Sequence, residues 1–411
     1  VLAVFTKLGL TSFGGPVAHL GYFRREFVAR RGWLDDAAYT DLIALCQFLP
    51  GPASSQVGFS VGLARAGWLG GLAAWCGFTL PSVLLLIAFA AIAPDLVGGP
   101  IGTGLVHGLK LAAVAVVAQA VWDMSRRLCT DTRRVLIALV AIALSATLHS
   151  VYAQLFVIAA GAAAGLALCR SADAPRAGQG VEPGANRSAA ALPATAPITR
   201  VSHAAGLGAL ALFCALLFGL PAWLHASPPT SSVVGSALHA FDAFYRSGAL
   251  VFGGGHVVLP LLQQQSAIAN AVSANTFLAG YGAAQAVPGP LFTFAAYLGW
   301  TMQAASGRLL GAALATIGIF LPGLLLVVAA LPHWQALRRH PSATAMLAGV
   351  NAAVVGVLAS ALYTPVWTSA VVGPFDFAVA ATAFIALVRL KWPPLAVVAV
   401  CASVGLSHAL I

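Results

Sequence analysis

The sequence predicts an all-α integral membrane protein made of two homologous halves in inverted-topology repeat, with broken or re-entrant helices at the membrane midplane. Three observations carry this reading: a composition unsuited to water, four landmarks that recur in order, and basic loops that change place between the copies. Of the 411 residues, 60% are hydrophobic and 8% charged, and mean hydropathy is +0.91. Soluble domains carry about 25% charged residues. Several apolar runs exceed the roughly 20 residues that cross a bilayer, which excludes a large soluble core. The strict alternation of barrel strands is absent.

Apolar runs place candidate spans at 67–93, 101–122, 135–148, 151–167, 206–224, 309–331, 343–362, 377–388 and 395–410. The shorter runs fall below a full crossing and are expected to work as tight pairs. Residues 170–202 are rich in Ala, Pro, Gly and Ser with scattered charge, the composition of a flexible linker. The expected organisation is a first repeat over 1–169, the linker over 170–202, a connecting transmembrane helix over 203–226, and a second repeat over 240–411.

The repeat rests on four landmarks. Phe13-Gly14-Gly15 returns as Phe252-Gly253-Gly254. Gln47 followed by Pro50-Gly51-Pro52 returns as Gln285 followed by Pro288-Gly289-Pro290. Leu80-Pro81 returns as Leu321-Pro322, and "GLKLAAVAVV" from Gly108 returns as "GVNAAVVGVL" from Gly349. All four are offset by about 240 residues, and a fixed period marks duplication. Lys and Arg collect in cytoplasmic loops. The loop after Trp122 carries Arg126, Arg127, Arg133 and Arg134, whereas its counterpart after Tyr363 has no cation. The loop after Ala93 has none, whereas its counterpart after Leu331 carries Arg338 and Arg339. Swapped charge implies swapped orientation, and the unpaired helix 206–224 supplies the odd crossing that reverses the second copy.

Chemistry is expected at the interruptions. Proline lacks an N–H and glycine is permissive, so Pro-Gly-Pro breaks a helix. Within a membrane, a break is tolerated only inside protein or beside water. The helix that restarts offers free N–H groups to an anion. A plain structural kink is the alternative, and paired broken helices favour a transport site. Phe-Gly-Gly allows a turn whose amides form an anion nest, or simply close helix packing. Lys7 and Arg246 each stand six residues before their Phe-Gly-Gly copy. A cation within a membrane needs a partner or water, and the matching positions suggest one cation per half neutralising a doubly charged anion. Snorkelling to the interface is the plainer reading. Ser54, Ser55, Gln56, Thr293, Gln47 and Gln285 add neutral donors, which hold an oxyanion without trapping it. His256, beside the second glycine run, completes the candidate binding set. Arg24 and Arg25 are candidates for a cytoplasmic funnel or for topology anchoring alone, and Lys110 for a counter-ion. His19 and His107 are candidates for following pH, and Asp41, Asp123 and Asp242 for proton coupling or for neutralising an Arg.

Other classes find less support, with a membrane-embedded enzyme or a non-transporting sensor as the remaining alternative. The net charge of +10 fits membrane anchoring and anion attraction better than nucleic-acid binding. Cys46, Cys76, Cys129, Cys169, Cys214 and Cys401 lie far apart with no ligand spacing, so neither a metal site nor a disulfide framework is expected. No catalytic motif or P-loop occurs, so no enzyme, no cofactor and no direct ATP drive is expected. No cleavable signal peptide is read. The residues alone lead to an anion transporter, or a channel of the same architecture, with a midplane site between inverted halves.

The segments "KLGLTSFGGPVAHLGYFRREFV" (7–28) and "CQFLPGPASSQ" (46–56), with their second copies around Phe252 and Pro288, resemble the chromate ion transporter family. The resemblance covers both halves and so implies the long two-domain form. It implies export of chromate from the bacterial cytoplasm across the inner membrane, driven by the proton gradient or the membrane potential, with chromate resistance as the outcome. Sulfate, alike in shape and charge, is the expected competitor or alternative cargo. Lipids are the expected surroundings, nucleic acid is not a partner, and a homodimer is expected only by analogy with other small-residue bundles. The second copy departs from the first: Gly255-His256 replaces Pro16-Val17, and Leu291-Phe292 replaces Ala53-Ser54. The two half-sites are therefore expected to be inequivalent, with half one the more polar.

Overall fold

Proline, glycine and short polar caps cut this apolar chain into helices. The side chains of Asp35, Asp131, Ser202 and Ser273 each accept a first-turn N–H at a helix start, satisfying a donor that helix geometry leaves free. The computed structural model describes residues 1–97, 100–148, 153–169, 201–226, 233–252, 258–263, 265–303, 307–337 and 340–410. Among them every regular element is helical. Most of the linker expected at 170–202, together with Gly253, Gly254, His256, Arg338 and Arg339, lies outside the described residues.

The first half contains α1 (Leu2–Thr11), α2 (Gly15–Phe23), α3 (Asp36–Phe48), α4 (Ala53–Val97), α5 (Pro100–Leu128), α6 (Thr132–Thr147) and α7 (Ala153–Leu168). Helix α8 (His203–Cys214) continues through a π-turn into α9 (Leu220–Ala226). The second half contains α10 (Val233–Ala249), α11 (Val258–Gln263), α12 (Ser266–Ala269), α13 (Ala274–Ala286), α14 (Phe294–Thr301), α15 (Arg308–Ala330), α16 (Trp334–Leu337), α17 (Pro341–Ala361), α18 (Thr368–Ala370), α19 (Pro374–Val388) and α20 (Pro394–Leu410). Among the described residues, the nine apolar runs read from the sequence fall on helices. Of eight residues or more, the helices missed are α1, α2, α3, α10, α13, α14 and the first arm of α4. They are short and carry Thr, Asp, Gln or Gly, so no long apolar run announces them.

Helix α4 is two arms, not one rod. Ala66 (φ −146°) and Gly67 (φ +64°) leave helical geometry, and the chain doubles back so that Gly62 packs on Gly70 and Gly71 meets the Phe59 ring. Gly299 packs on Gly311 in the same way between α14 and α15. The first arm, like α3, is about 13 residues or roughly 20 Å long, short of the ~30 Å hydrocarbon layer. Five helical stretches have the length and composition to cross a membrane: Ala53–Ile92, Gly102–Leu128, His203–Leu224, Arg308–His333 and Pro341–Ala370. Leu84, Leu139, Leu207 and Leu309 are exposed, as lipid-facing side chains would be.

The halves interpenetrate. Helix α5 packs on α19 and α20, while its counterpart α17 packs on α6 and α7. Glycines set both crossings: Gly104 and Gly108 lie against Gly405 and Cys401, and Gly349 lies against Gly161 and Gly165. A side chain at Gly349 would overlap the Gly161 carbonyl. Gly349→Val is therefore expected to destabilise the protein by about 3 kcal/mol, read as a lower Tm and loss of the monodisperse peak in detergent. An unchanged melt would refute this crossing.

Candidate functional site

The two Pro-Gly-Pro interruptions are built alike. A residue before proline is pushed out of helical geometry, and Leu49 (ψ 149°) and Val287 (ψ 138°) end α3 and α13 in extended form. Gly51 (φ +123°) and Gly289 (φ +96°) then take conformations that a side chain resists. Each break reaches across to the other half. The Gly51 N–H donates to the Val251 carbonyl at 2.7 Å, and the Gly289 N–H donates to the Ser12 carbonyl at 2.8 Å. Ser12 directly precedes Phe13-Gly14-Gly15 and Val251 directly precedes Phe252, so the landmarks of the two halves interlock reciprocally. The Leu-Pro landmarks join them. Gly51 lies against Gly323, two residues after Leu321, and Gln56 Nε2 donates to the Gly323 carbonyl at 3.0 Å and to the Pro50 carbonyl at 2.9 Å. Ser82 Oγ donates to the Pro288 carbonyl.

This corrects one expectation. The amides of Gly51 and Gly289 are not free for a ligand. A buried N–H must find an acceptor, and the ends of α1 and α10 supply carbonyls that their own helices leave unmated. Pro50, Pro52, Pro288 and Pro290 have no N–H to offer. What remains near the first break is the opening turn of α4, where Ala53, Ser54 and Ser55 have no intrahelical acceptor, and a group of buried side chains. Ser12, His19, Ser54, Ser55 and Thr79 are each at most 3% exposed. His19 Nδ1 lies 3.4 Å from Ser54 Oγ, and its ring stands edge-on to Phe78 at 5.3 Å. Ser12 Oγ, His19 Nε2, Ser55 Oγ and Thr79 Oγ1 have no hydrogen-bond partner.

The other expected residues are placed as follows. Gly14 (φ +95°) and Gly15 (φ +77°) form the left-handed turn that starts α2, with Phe13 partly exposed. Gln47 is exposed, whereas Gln285 is half-buried beside Tyr281. The Thr293 hydroxyl is taken by the Pro290 carbonyl at 2.7 Å, and Phe252 is half-buried. Lys7 is exposed and forms no ion pair among the described residues. Arg246 differs: its Nη2 sits 2.7 Å from Asp242 Oδ2, one helical turn earlier, with both side chains largely buried. The two cations expected to serve one in each half are thus placed differently: Arg246 is bound to Asp242, and Lys7 has no ion pair among the described residues. Arg24 makes a two-point pair with Asp36 at 2.7 and 3.0 Å, and Arg25 lies over the Tyr22 ring. Lys110 is buried between the halves and donates to Asn275 Oδ1 at 2.5 Å. One turn away, His107 Nε2 lies 2.7 Å from Asp376 Oδ1. Ser12, Thr79 and Ser82 were not singled out in the sequence, because an isolated Ser or Thr carries no pattern. A cavity of about 130 Å³ between α6, α7 and α17 is lined by residues such as Leu136, Val140 and Leu144, and it lies apart from the interruptions.

Residues 1–166 and 238–406 match the family model described as chromate transporter. The chain belongs to the chromate transporter family. It is 28% identical over 367 residues to a chromate transport protein of Pseudomonas aeruginosa, covering 87% of this chain and 78% of that one. Over 361 residues it is 26% identical to a chromate transport protein of Cupriavidus metallidurans, covering 87% and 80%. A probable chromate transport protein of Synechococcus elongatus is 26% identical over 375 residues, covering 87% and 82%. No solved structure matches the chain. As a long two-domain member of the chromate transporter family with several apolar helices of spanning length, the protein is a multi-pass membrane transporter and not an enzyme.

Proposed function

We propose that this transporter exports chromate from the bacterial cytoplasm across the inner membrane by alternating access, using the proton gradient or the membrane potential. In this reading the repeats, 1–169 and 240–411, are inverted relative to each other, and 203–226 provides the extra crossing. One repeat rocks against the other around the paired interruptions. The observation that supports it is the reciprocal pair of amide bonds, Gly51 to Val251 and Gly289 to Ser12. Each bond ties one break to the landmark of the other half, and a junction between repeats is where a transporter can expose a site first to one side and then to the other. The side chains there are mostly neutral donors, suited to a tetrahedral oxyanion that must also be released.

The test is flux of ⁵¹Cr-labelled chromate in proteoliposomes with an imposed potential or pH gradient and with sulfate as competitor. Accumulation against the chromate gradient, abolished by collapsing both driving forces, is the expected result. Flux that only runs downhill would make the protein a channel. Sulfate transport without chromate transport would reassign the cargo.

A further inference from the structure

The repeat invites the assumption of two equivalent anion sites, and the packed side chains say otherwise. At matching positions, Ser12 faces Val251 in the alignment of the halves, His19 faces Val258, Ser54 faces Phe292, Gln56 faces Phe294 and Thr79 faces Phe320. All five second-half residues are at most 3% exposed. Phe292 and Phe320 pack together with ring centres 5.8 Å apart, so an aromatic pair stands at the positions that Ser54 and Thr79 hold in half one. Only Ser55 keeps a hydroxyl counterpart, Thr293, and that hydroxyl is already bonded to Pro290. The cations follow the same asymmetry, with Lys7 unpaired and Arg246 bound to Asp242.

Half one holds several buried polar atoms without partners. Each such atom costs free energy unless something arrives to satisfy it. The pairing of Gly62 with Gly70 and of Phe59 with Gly71, continued toward the break, sets Ser54 and Ser55 level with Phe78 and Thr79. His19 touches both Ser54 and Phe78, which ties α2 to that level, and Ser12 enters from the end of α1. Buried hydroxyl groups, the His19 ring and the first-turn amides of α4 thus lie along the end of α1, the start of α2 and both arms of α4.

We infer that the transporter has one oxyanion site per chain, in the first half, formed by Ser12, His19, Ser54, Ser55 and Thr79 with the opening amides of α4, while the second-half counterpart is a filled, structural copy. This rests on the transport reading above and assigns its binding site. The second half then supplies the reciprocal Gly289–Ser12 contact, which holds the Ser12 backbone, and contributes no second anion pocket.

The test is equilibrium binding of ⁵¹Cr-labelled chromate to the purified full chain in detergent, alongside proteoliposome flux. The expected stoichiometry is one chromate per chain. Ser55→Ala and His19→Ala should each raise the dissociation constant about tenfold or more, the range for a lost hydrogen bond to a charged group. Ser55→Thr, which keeps the hydroxyl, should stay within about threefold of the wild type by the same scale and guards against misfolding as the cause. Phe292→Leu and Phe320→Leu should leave binding unchanged. Two chromates per chain, or weakened binding in the phenylalanine variants with normal binding in Ser55→Ala and His19→Ala, would overturn the single-site assignment while leaving transport intact. No saturable binding and no flux in the wild type would overturn both.

Discussion

Gly289→Ala is expected to eliminate chromate flux and to lower Tm, although it adds one carbon atom. Two costs combine. Gly289 sits at φ +96°, where a residue with a side chain carries about 1–3 kcal/mol of strain. Its new methyl would also overlap Ser82 Oγ and press on the Phe78 carbonyl at 3.3 Å. Ser82 cannot swing away freely, because it donates to the Pro288 carbonyl. The break would therefore shift, and with it the Gly289 N–H that holds the Ser12 carbonyl. Gly32→Ala is the control. Gly32 also has positive φ (+58°) but open space around it, so only strain is added and flux should persist. Ser82→Gly combined with Gly289→Ala should recover part of the stability, since the other break already faces a glycine, Gly323. Equal behaviour of Gly289→Ala and Gly32→Ala would show that the junction tolerates movement and would remove the packing argument.

The second large effect separates the two cations. Arg246→Ala leaves the Asp242 carboxylate buried at 4% exposure without its 2.7 Å partner. Breaking a buried pair in this way costs about 3–5 kcal/mol, so the variant should be recovered poorly from membranes and melt early. Adding Asp242→Asn removes the charge that Arg246 balanced and should restore much of the yield. Lys7→Ala should behave oppositely. Lys7 is exposed and has no ion pair among the described residues, so the variant should fold normally and lose most chromate flux, whereas Lys7→Arg should retain it. Thermal melts and labelled-chromate flux on the four variants give the comparison. Normal flux in Lys7→Ala would end the role of this lysine, and a stable Arg246→Ala would deny that the Asp242 pair is structural.

Much of the architecture was legible because duplication writes itself twice. Phe-Gly-Gly, Pro-Gly-Pro and Leu-Pro sit where backbone geometry is unusual, and unusual geometry restricts residue choice enough to be visible. The reversal at Ala66–Gly67 was half legible: the span read at 67–93 starts there, just after Arg65, but the short arm before it carries Ser and Gln and no long apolar run. Not legible was the pairing of Gly51 with Val251, which links positions 200 residues apart through backbone atoms that every residue owns. The Arg246–Asp242 pair could have been found: a spacing of four on one helix is a standard ion-pair signal, and Ala3 at the matching place in half one marks the difference. The buried Ser12, His19 and Thr79 needed three dimensions, since single polar residues acquire meaning only when their neighbours are known. Phe292 opposite Ser54 was in view as an apolar substitution, but its packing against Phe320 was not.

The most direct test of the account is chemical access to the first turn of α4. An Ala53→Cys chain, with the six native cysteines replaced, would be treated in membrane vesicles with a membrane-impermeant charged methanethiosulfonate. If the interruptions border a wet anion site, the thiol will be modified from the aqueous side, and saturating chromate will slow that reaction about tenfold. If only a lipid-soluble maleimide reaches the thiol and chromate leaves its rate unchanged, the interruptions face hydrocarbon or sealed protein, and the proposed site is wrong.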